Sequence, residues 1–166
     1  MCIRDRSLIT SSVRRPSPDV LDPSIHHCNL IQSILAKIEA THAGADDAVL
    51  LDSNGFVAET NATHLFIVEG GTVITSRLVA CPEGITREVV LGLCRDNDIP
   101  HEVRDVSLTE VYRAEEMFCT GTMGELAPIT QVDGRTIGSG GIGLMTRRLA
   151  NLFNACVAAE AEPVLD

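Results

Sequence analysis

A chain of 166 residues, 45% of them hydrophobic, is long enough to bury one core and falls within the usual size of a single domain. Its formal charge of -10, from 23 acidic against 13 basic residues, argues against a surface built to neutralise nucleic-acid phosphates or to lie on anionic lipid. Four Phe, one Tyr and no Trp leave little aromatic material for base stacking, which points to small molecules or other protein as partners.

The polar, proline-bearing lead (Arg14, Arg15, Pro16, Pro18, Pro23) gives way to Leu30, Ile31, Ile34, Leu35 and Ile38, whose spacing predicts an amphipathic helix up to about Ala43, stopped by Gly44. Residues 1–13 fit no definable element and are expected to be an unassigned, disordered or non-native start. Short apolar runs at 48–51, 56–59, 64–68 and 72–75, separated by Ser53-Asn54-Gly55 and Glu69-Gly70-Gly71, predict antiparallel strands joined by hairpins. A second helix is expected from Thr86 to near Asp98, then a strand at 102–106. Ser107 and Glu110 have the S-x-x-E spacing of a capping box and predict a short helix over 108–113. Strands at 116–119, 129–132 and 135–137 and a last helix over 144–159 complete an α+β domain, with 160–166 as a tail.

The six cysteines lack any C-x-x-C pair, a pattern that suits reduced thiols in a cytoplasm. Adjacent His26, His27 and Cys28 form no ligand set with the remaining histidines, so no metal site is expected. No apolar run reaches the roughly 18 residues of a membrane span, and none is expected.

Three stretches carry candidate chemistry. Gly84-Ile85-Thr86-Arg87 opens the second helix, where free N–H groups and the helix dipole favour a phosphate; taken alone it reads far more readily as an ordinary Thr-assisted helix start. Thr120-Gly121-Thr122-Met123-Gly124-Glu125 leaves backbone N–H groups open at a strand end. Glu59 ends an apolar strand, where a carboxylate could enter a pocket or simply face solvent.

Taken in order, the Asn29–Lys37 helix, Gly44-Ala45-Asp46-Asp47, Gly55-Phe56-Val57-Ala58-Glu59, Gly84-Ile85-Thr86-Arg87, Gly121-Thr122 and Asp133-Gly134-Arg135 resemble the large, C-terminal domain of class IV (fold-type IV) aminotransferases. That family includes branched-chain amino acid aminotransferases, D-amino acid aminotransferases and aminodeoxychorismate lyases, and the resemblance runs from about Arg14 to Val157. It implies a pyridoxal-phosphate-binding domain over 14–159 with an antiparallel, barrel-like sheet and flanking helices, and a homodimer in the longer protein. It also implies amino acid and 2-oxo acid substrates, the branched-chain type favoured. By position, Glu59 would pair with the pyridine nitrogen, Ile85 and Thr86 would cradle the phosphate, and Thr122 would add a phosphate contact. The backbone at Thr122 and Met123 would face the substrate carboxylate, the Met123 side chain serving as packing.

The sequence departs from that pattern at informative places. His26 stands where the family's Schiff-base lysine belongs, and imidazole cannot make that link, although it can move a proton near neutral pH. Lys37, the only lysine, lies eleven residues on, roughly 16 Å along the helix axis, and is not expected to substitute. His64 occupies a usual asparagine position and Leu30 a frequent tyrosine position. Nothing corresponds to the family's smaller N-terminal domain. The expectation is therefore non-covalent cofactor binding with weak or altered turnover, set against a catalytically inactive fold kept as a ligand-binding or dimerisation module.

Overall fold

A computed structural model describes residues 5–25 and 27–160 of the chain. Nine strands form one sheet in the order β3-β2-β1-β8-β7-β4-β5-β6, with β9 pairing β8. In chain order they are β1 (Arg6–Arg14), β2 (Asp47–Leu51), β3 (Val57–Thr60), β4 (His64–Glu69), β5 (Thr72–Thr75), β6 (His101–Val103), β7 (Glu116–Gly121), β8 (Glu125–Val132) and β9 (Arg135–Thr136). The helices are α1 (Ile31–His42), α2 (Ile85–Asp96), α3 (Leu108–Arg113) and α4 (Leu144–Glu160).

The α+β class agrees with expectation, but the sheet is mixed, not antiparallel. Its third strand, β1, is an interior one and runs parallel to both β2 and β8. Residues 6–13, expected to be an unassigned start, make up most of that strand. Two parallel neighbours, β1–β2 and β5–β6, are joined through α1 and α2, since a parallel pair needs a crossover that a tight hairpin cannot supply. β1–β8 is the third parallel pair; the remaining neighbours are antiparallel, and β4–β5 is a direct hairpin turning at Gly70 and Gly71, both with positive φ.

Alternation along the strands splits the core between the faces of the curled, half-barrel sheet. Odd-numbered positions such as Leu65, Ile67, Met117 and Cys119 meet Val111 of α3 on one face. Even-numbered Phe66, Val68, Phe118 and Leu126 meet Val90 and Cys94 of α2 and Leu149 and Phe153 of α4 on the other. Phe66 and Phe118 are register partners whose rings stack 4.9 Å apart, locking β4 to β7. Each buries its whole side chain, worth about 2–3 kcal/mol.

Helix α1 behaves differently from a helix that buries its large side chains. It seats Ala36 and Ala40 on Ala48 and Leu50, while Leu30, Ile31, Ile34, Leu35 and Ile38 stay about half exposed. Among the described residues no helix is long and apolar enough to cross a membrane.

Candidate active site

Strand β3 is short because Thr60, Ala62 and Thr63 close a turn: the Thr60 hydroxyl accepts from the Ala62 and Thr63 amides, and the Thr60 amide donates to the Thr63 carbonyl. Glu59 precedes that turn and His64 follows it. Glu59 is 4% exposed, and Arg15, just past β1, brings Nη2 to 2.6 Å from its Oε1. The contact is an ion pair whose geometry is poor for hydrogen bonding, since Arg15 Nε and Glu59 Oε1 are both buried without a hydrogen-bond partner. Burial therefore outweighs the single guanidinium and pushes the Glu59 carboxyl up to about 7.

His64 leads into α2. Its Nε2 lies 2.9 Å from the Pro82 carbonyl, which can only accept, so Nε2 donates. The opposite ring edge lies against Gly84, the N-cap of α2: a Cβ there would meet Cε1 at 2.5 Å and Nδ1 at 2.6 Å. Gly84 has an ordinary extended conformation, so this crowding explains its lack of a side chain. Burial first, then Arg87 and Arg15, hold the His64 pKa below its usual value.

In the first turn of α2, Ile85 is exposed, whereas Thr86 and Arg87 are buried. Arg87 Nη2 donates to the Ser76 carbonyl at 3.0 Å, and its Nε has no partner. Cys81 lies within the field of Glu59, Arg87 and Arg15; burial first, then Glu59, push its thiol up to about 12, leaving it un-ionised and unfit as a nucleophile. Thr120 is the register partner of His64 and is 1% exposed, with its hydroxyl unpartnered. An open cleft of about 770 Å³ lies at this helix end, lined by Ser24, Glu83, Gly84, Ile85, Glu88 and Val89.

The turn after Glu59 also borders a second cleft, of about 940 Å³, that holds Thr122. Gly121 sits so close to Thr63 that an added Cβ would be 3.0 Å from its methyl. Of the predicted residues, Glu59 directly precedes the 60–64 turn, Ile85 lines the cleft at the start of α2 and Thr122 lines the second cleft, while Thr86 is buried in the first turn of α2 and lines neither. Met123, expected to fill an apolar gap, is fully exposed instead, because the β7–β8 turn carries it away from the sheet. His26 lies outside the described residues. Lys37 lines the second cleft, where its Nζ is 2.9 Å from Asp47 Oδ1 and also donates to the Asp46 carbonyl.

Sequence reasoning singled out Glu59, Ile85, Thr86 and Thr122 but missed Arg15, Arg87 and Thr120. Arg87 and Thr120 lie inside quoted stretches without having been given a role, and Arg15 lies in the lead before the first motif. Their local signal was the burial of a charged or hydroxyl group on an apolar strand or helix face, which becomes visible only when tertiary partners are known.

A curled mixed sheet, with a buried acid beside a helix N-terminus that carries unpartnered polar groups, defines an α+β domain with a polar site at one rim. The pattern described as Amino-transferase class IV matches residues 3–132, and the chain belongs to that family. It is 46% identical over 157 residues to Branched-chain-amino-acid aminotransferase-like protein 2 of Arabidopsis thaliana, covering 95% of this chain and 28% of that protein. It is 40% identical over 146 residues to the Putative branched-chain-amino-acid aminotransferase of Methanocaldococcus jannaschii, covering 87% of this chain and 51% of the relative. The crystal structure of the branched-chain amino acid aminotransferase from Thermobaculum terrenum in its PLP-form superposes with a TM-score of 0.91 at 33% identity, over 96% of this chain and 53% of that one. The chain thus spans about half, or less, of the length of these relatives.

Proposed function

We propose that this chain is the cofactor-binding large domain of a branched-chain-type amino acid aminotransferase, that it holds pyridoxal 5'-phosphate without a covalent link, and that His26 limits its turnover. The observation that carries the reading is the set of buried polar atoms left without hydrogen-bond partners around one site: Arg15 Nε, Glu59 Oε1, Arg87 Nε and Thr120 Oγ1. Buried polar groups are nearly always satisfied, so such a gathering fits a polar ligand.

The residues present suit that cofactor. Glu59 would accept from a protonated pyridine nitrogen, with Arg15 fixing the carboxylate. The free amides of Ile85 and Thr86 and the Thr86 hydroxyl would hold the phosphate at the positive end of α2, and Thr122 would add a contact from the end of β7. When bound, pyridoxal phosphate supplies an electron sink for breaking bonds at the amino acid α-carbon. The backbone at Thr122 and Met123 would face the carboxylate of an amino acid or 2-oxo acid. His26 would serve as the proton-moving base in the lysine position, at a cost in rate, because no side-chain amine there can attach to the cofactor.

Family membership also favours a homodimer of the longer protein, and the apolar face of α1 suits such a contact, since five half-exposed large side chains on one helix exceed ordinary surface scatter. The buried thiols Cys81, Cys94 and Cys119 suit a reducing cytoplasm. The second reading, an inactive fold kept as a ligand-binding or dimerisation module, rests on His26 alone.

Titration of the purified protein with pyridoxal phosphate, followed by absorbance and then borohydride reduction, separates these readings. The expected result is a saturable spectral change with no covalent adduct after reduction, whereas His26→Lys gains a trapped adduct at residue 26. An adduct on Lys37 in the unaltered protein would overturn the site, and an unchanged spectrum would leave only the module.

A further inference from the structure

We propose that His64 is an additional phosphate-side residue, one that takes up a proton when an anion docks on the N-terminus of α2. This rests on the phosphate-site reading above and extends it to a residue outside the family's usual pattern, where asparagine is the common occupant.

Geometry carries the argument. The ring is fixed at one edge by its Nε2–H donated to the Pro82 carbonyl, and its other edge, Cε1 and Nδ1, is pressed against Gly84, where the α2 amides begin. In the neutral ring Nδ1 holds only a lone pair, which cannot donate to a phosphate oxygen. Protonation turns that edge into a charged donor at the mouth of a helix that is already positive. The polar atoms around it are unsatisfied: Thr120 Oγ1 across the β4–β7 register and Arg87 Nε in the first turn of α2 are both buried without partners.

The charges acting on the ring set the direction. Arg87 of α2 and Arg15 beyond β1 both oppose a positive His64, Glu59 offsets Arg15 through its ion pair, and the neighbouring Cys81 thiol is un-ionised. Without an anion the imidazole is neutral at physiological pH. A dianion on the α2 amides reverses the local field, so binding and protonation favour one another, and the same coupling makes anion affinity rise as pH falls. Asparagine at this position could hold the Pro82 carbonyl but could not supply the titration.

Sulfate is the proper probe, because it remains a dianion between about pH 5.5 and 8, where phosphate itself titrates. On the full chain, proton NMR of the His64 ring, assigned by the signal lost in His64→Asn, should show its titration midpoint rising on adding sulfate. Calorimetry should show sulfate binding strengthening as pH falls, by about tenfold for each unit of that rise. His64→Asn should lose this gain while keeping the fold of the unaltered chain, read by circular dichroism. An unmoved midpoint, or a pH dependence in His64→Asn equal to that of the unaltered chain, overturns the His64 assignment and leaves the phosphate site standing. Failure of the unaltered chain to bind either sulfate or pyridoxal phosphate overturns both.

Discussion

Two opposing forces act on the Glu59 carboxyl: loss of water, which favours the neutral acid, and one guanidinium, which favours the anion. Burial wins, and the pKa rises from 4.5 to about 7. A group whose folded pKa is raised contributes stability below its unfolded value, and that contribution is lost as pH rises through the folded value. The unliganded chain should therefore lose stability between about pH 4.5 and 7, by on the order of 2–3 kcal/mol. Urea midpoints at pH 5 and pH 7.5 measure this, and Glu59→Gln, which cannot ionise, should flatten the difference. A ligand with a protonated ring nitrogen would reverse the balance by giving the carboxylate a second positive partner. Glu59→Ala should accordingly weaken pyridoxal phosphate binding by about tenfold or more, read by absorbance titration, since a charge-assisted hydrogen bond is worth about 1.5–3 kcal/mol. Glu59 was legible from its place at the end of an apolar run in a recognised motif. Arg15 was not, because nothing local distinguishes it from its neighbour Arg14; only the path of the chain after β1 decides which of the two reaches Glu59.

Elements bounded by local chemistry were legible, and those assembled from distant partners were not. Helix α3 was placed at 108–113 from Ser107 and Glu110 alone, and the capping box is complete: the Glu110 amide donates to Ser107 Oγ while Glu110 accepts from the Ser107 amide and hydroxyl. The Ser107 amide above all, and Arg104 in addition, hold the Glu110 carboxyl down to about 2. Because this folded pKa is depressed, its contribution is present above the unfolded value near 4.5 and disappears as pH falls toward about 2. Ser107→Ala should cost about 1 kcal/mol in thermal or urea unfolding near neutral pH. Strand β1, by contrast, was invisible. Its pairs lie with Asp47–Leu51 and Ile129–Val132, some 40 and 120 residues away, and its sequence, RSLITSSVR, is too polar for a run normally buried between parallel neighbours. The polar positions are satisfied by tertiary contacts: Thr10 donates to Asp133, and Ser11 donates to Glu39 of α1. A hydroxyl-rich segment of this kind reads locally as loop, and missing it hid two of the three parallel pairs.

At the scale of the whole molecule, the question is what holds β1 inside the sheet between two strands distant from it in sequence. Asp47 at the start of β2 supplies much of the answer. It is 7% exposed and receives Arg6 Nη1 of β1 at 2.7 Å, Lys37 Nζ of α1 at 2.9 Å and Asn61 Nδ2 of the turn after β3 at 3.1 Å. One carboxylate thus joins four elements separated by up to 55 residues of chain. The only lysine shares a cleft with Thr122, but its ammonium is engaged by Asp47 and by the Asp46 carbonyl. Arg6 and Lys37 are partly solvated, so their attraction is screened; the buried carboxylate carries the larger consequence. Asp47→Ala should destabilise the chain by about 2 kcal/mol, and hydrogen exchange should show β1 amides losing protection ahead of β4 and β7, whose pairing depends on Phe66 and Phe118. Lys37→Met should cost far less, because Arg6 and Asn61 still satisfy Asp47 and the apolar stem still packs along α1. Equal losses from the two substitutions would mean that the lysine, not the carboxylate, organises this half of the sheet.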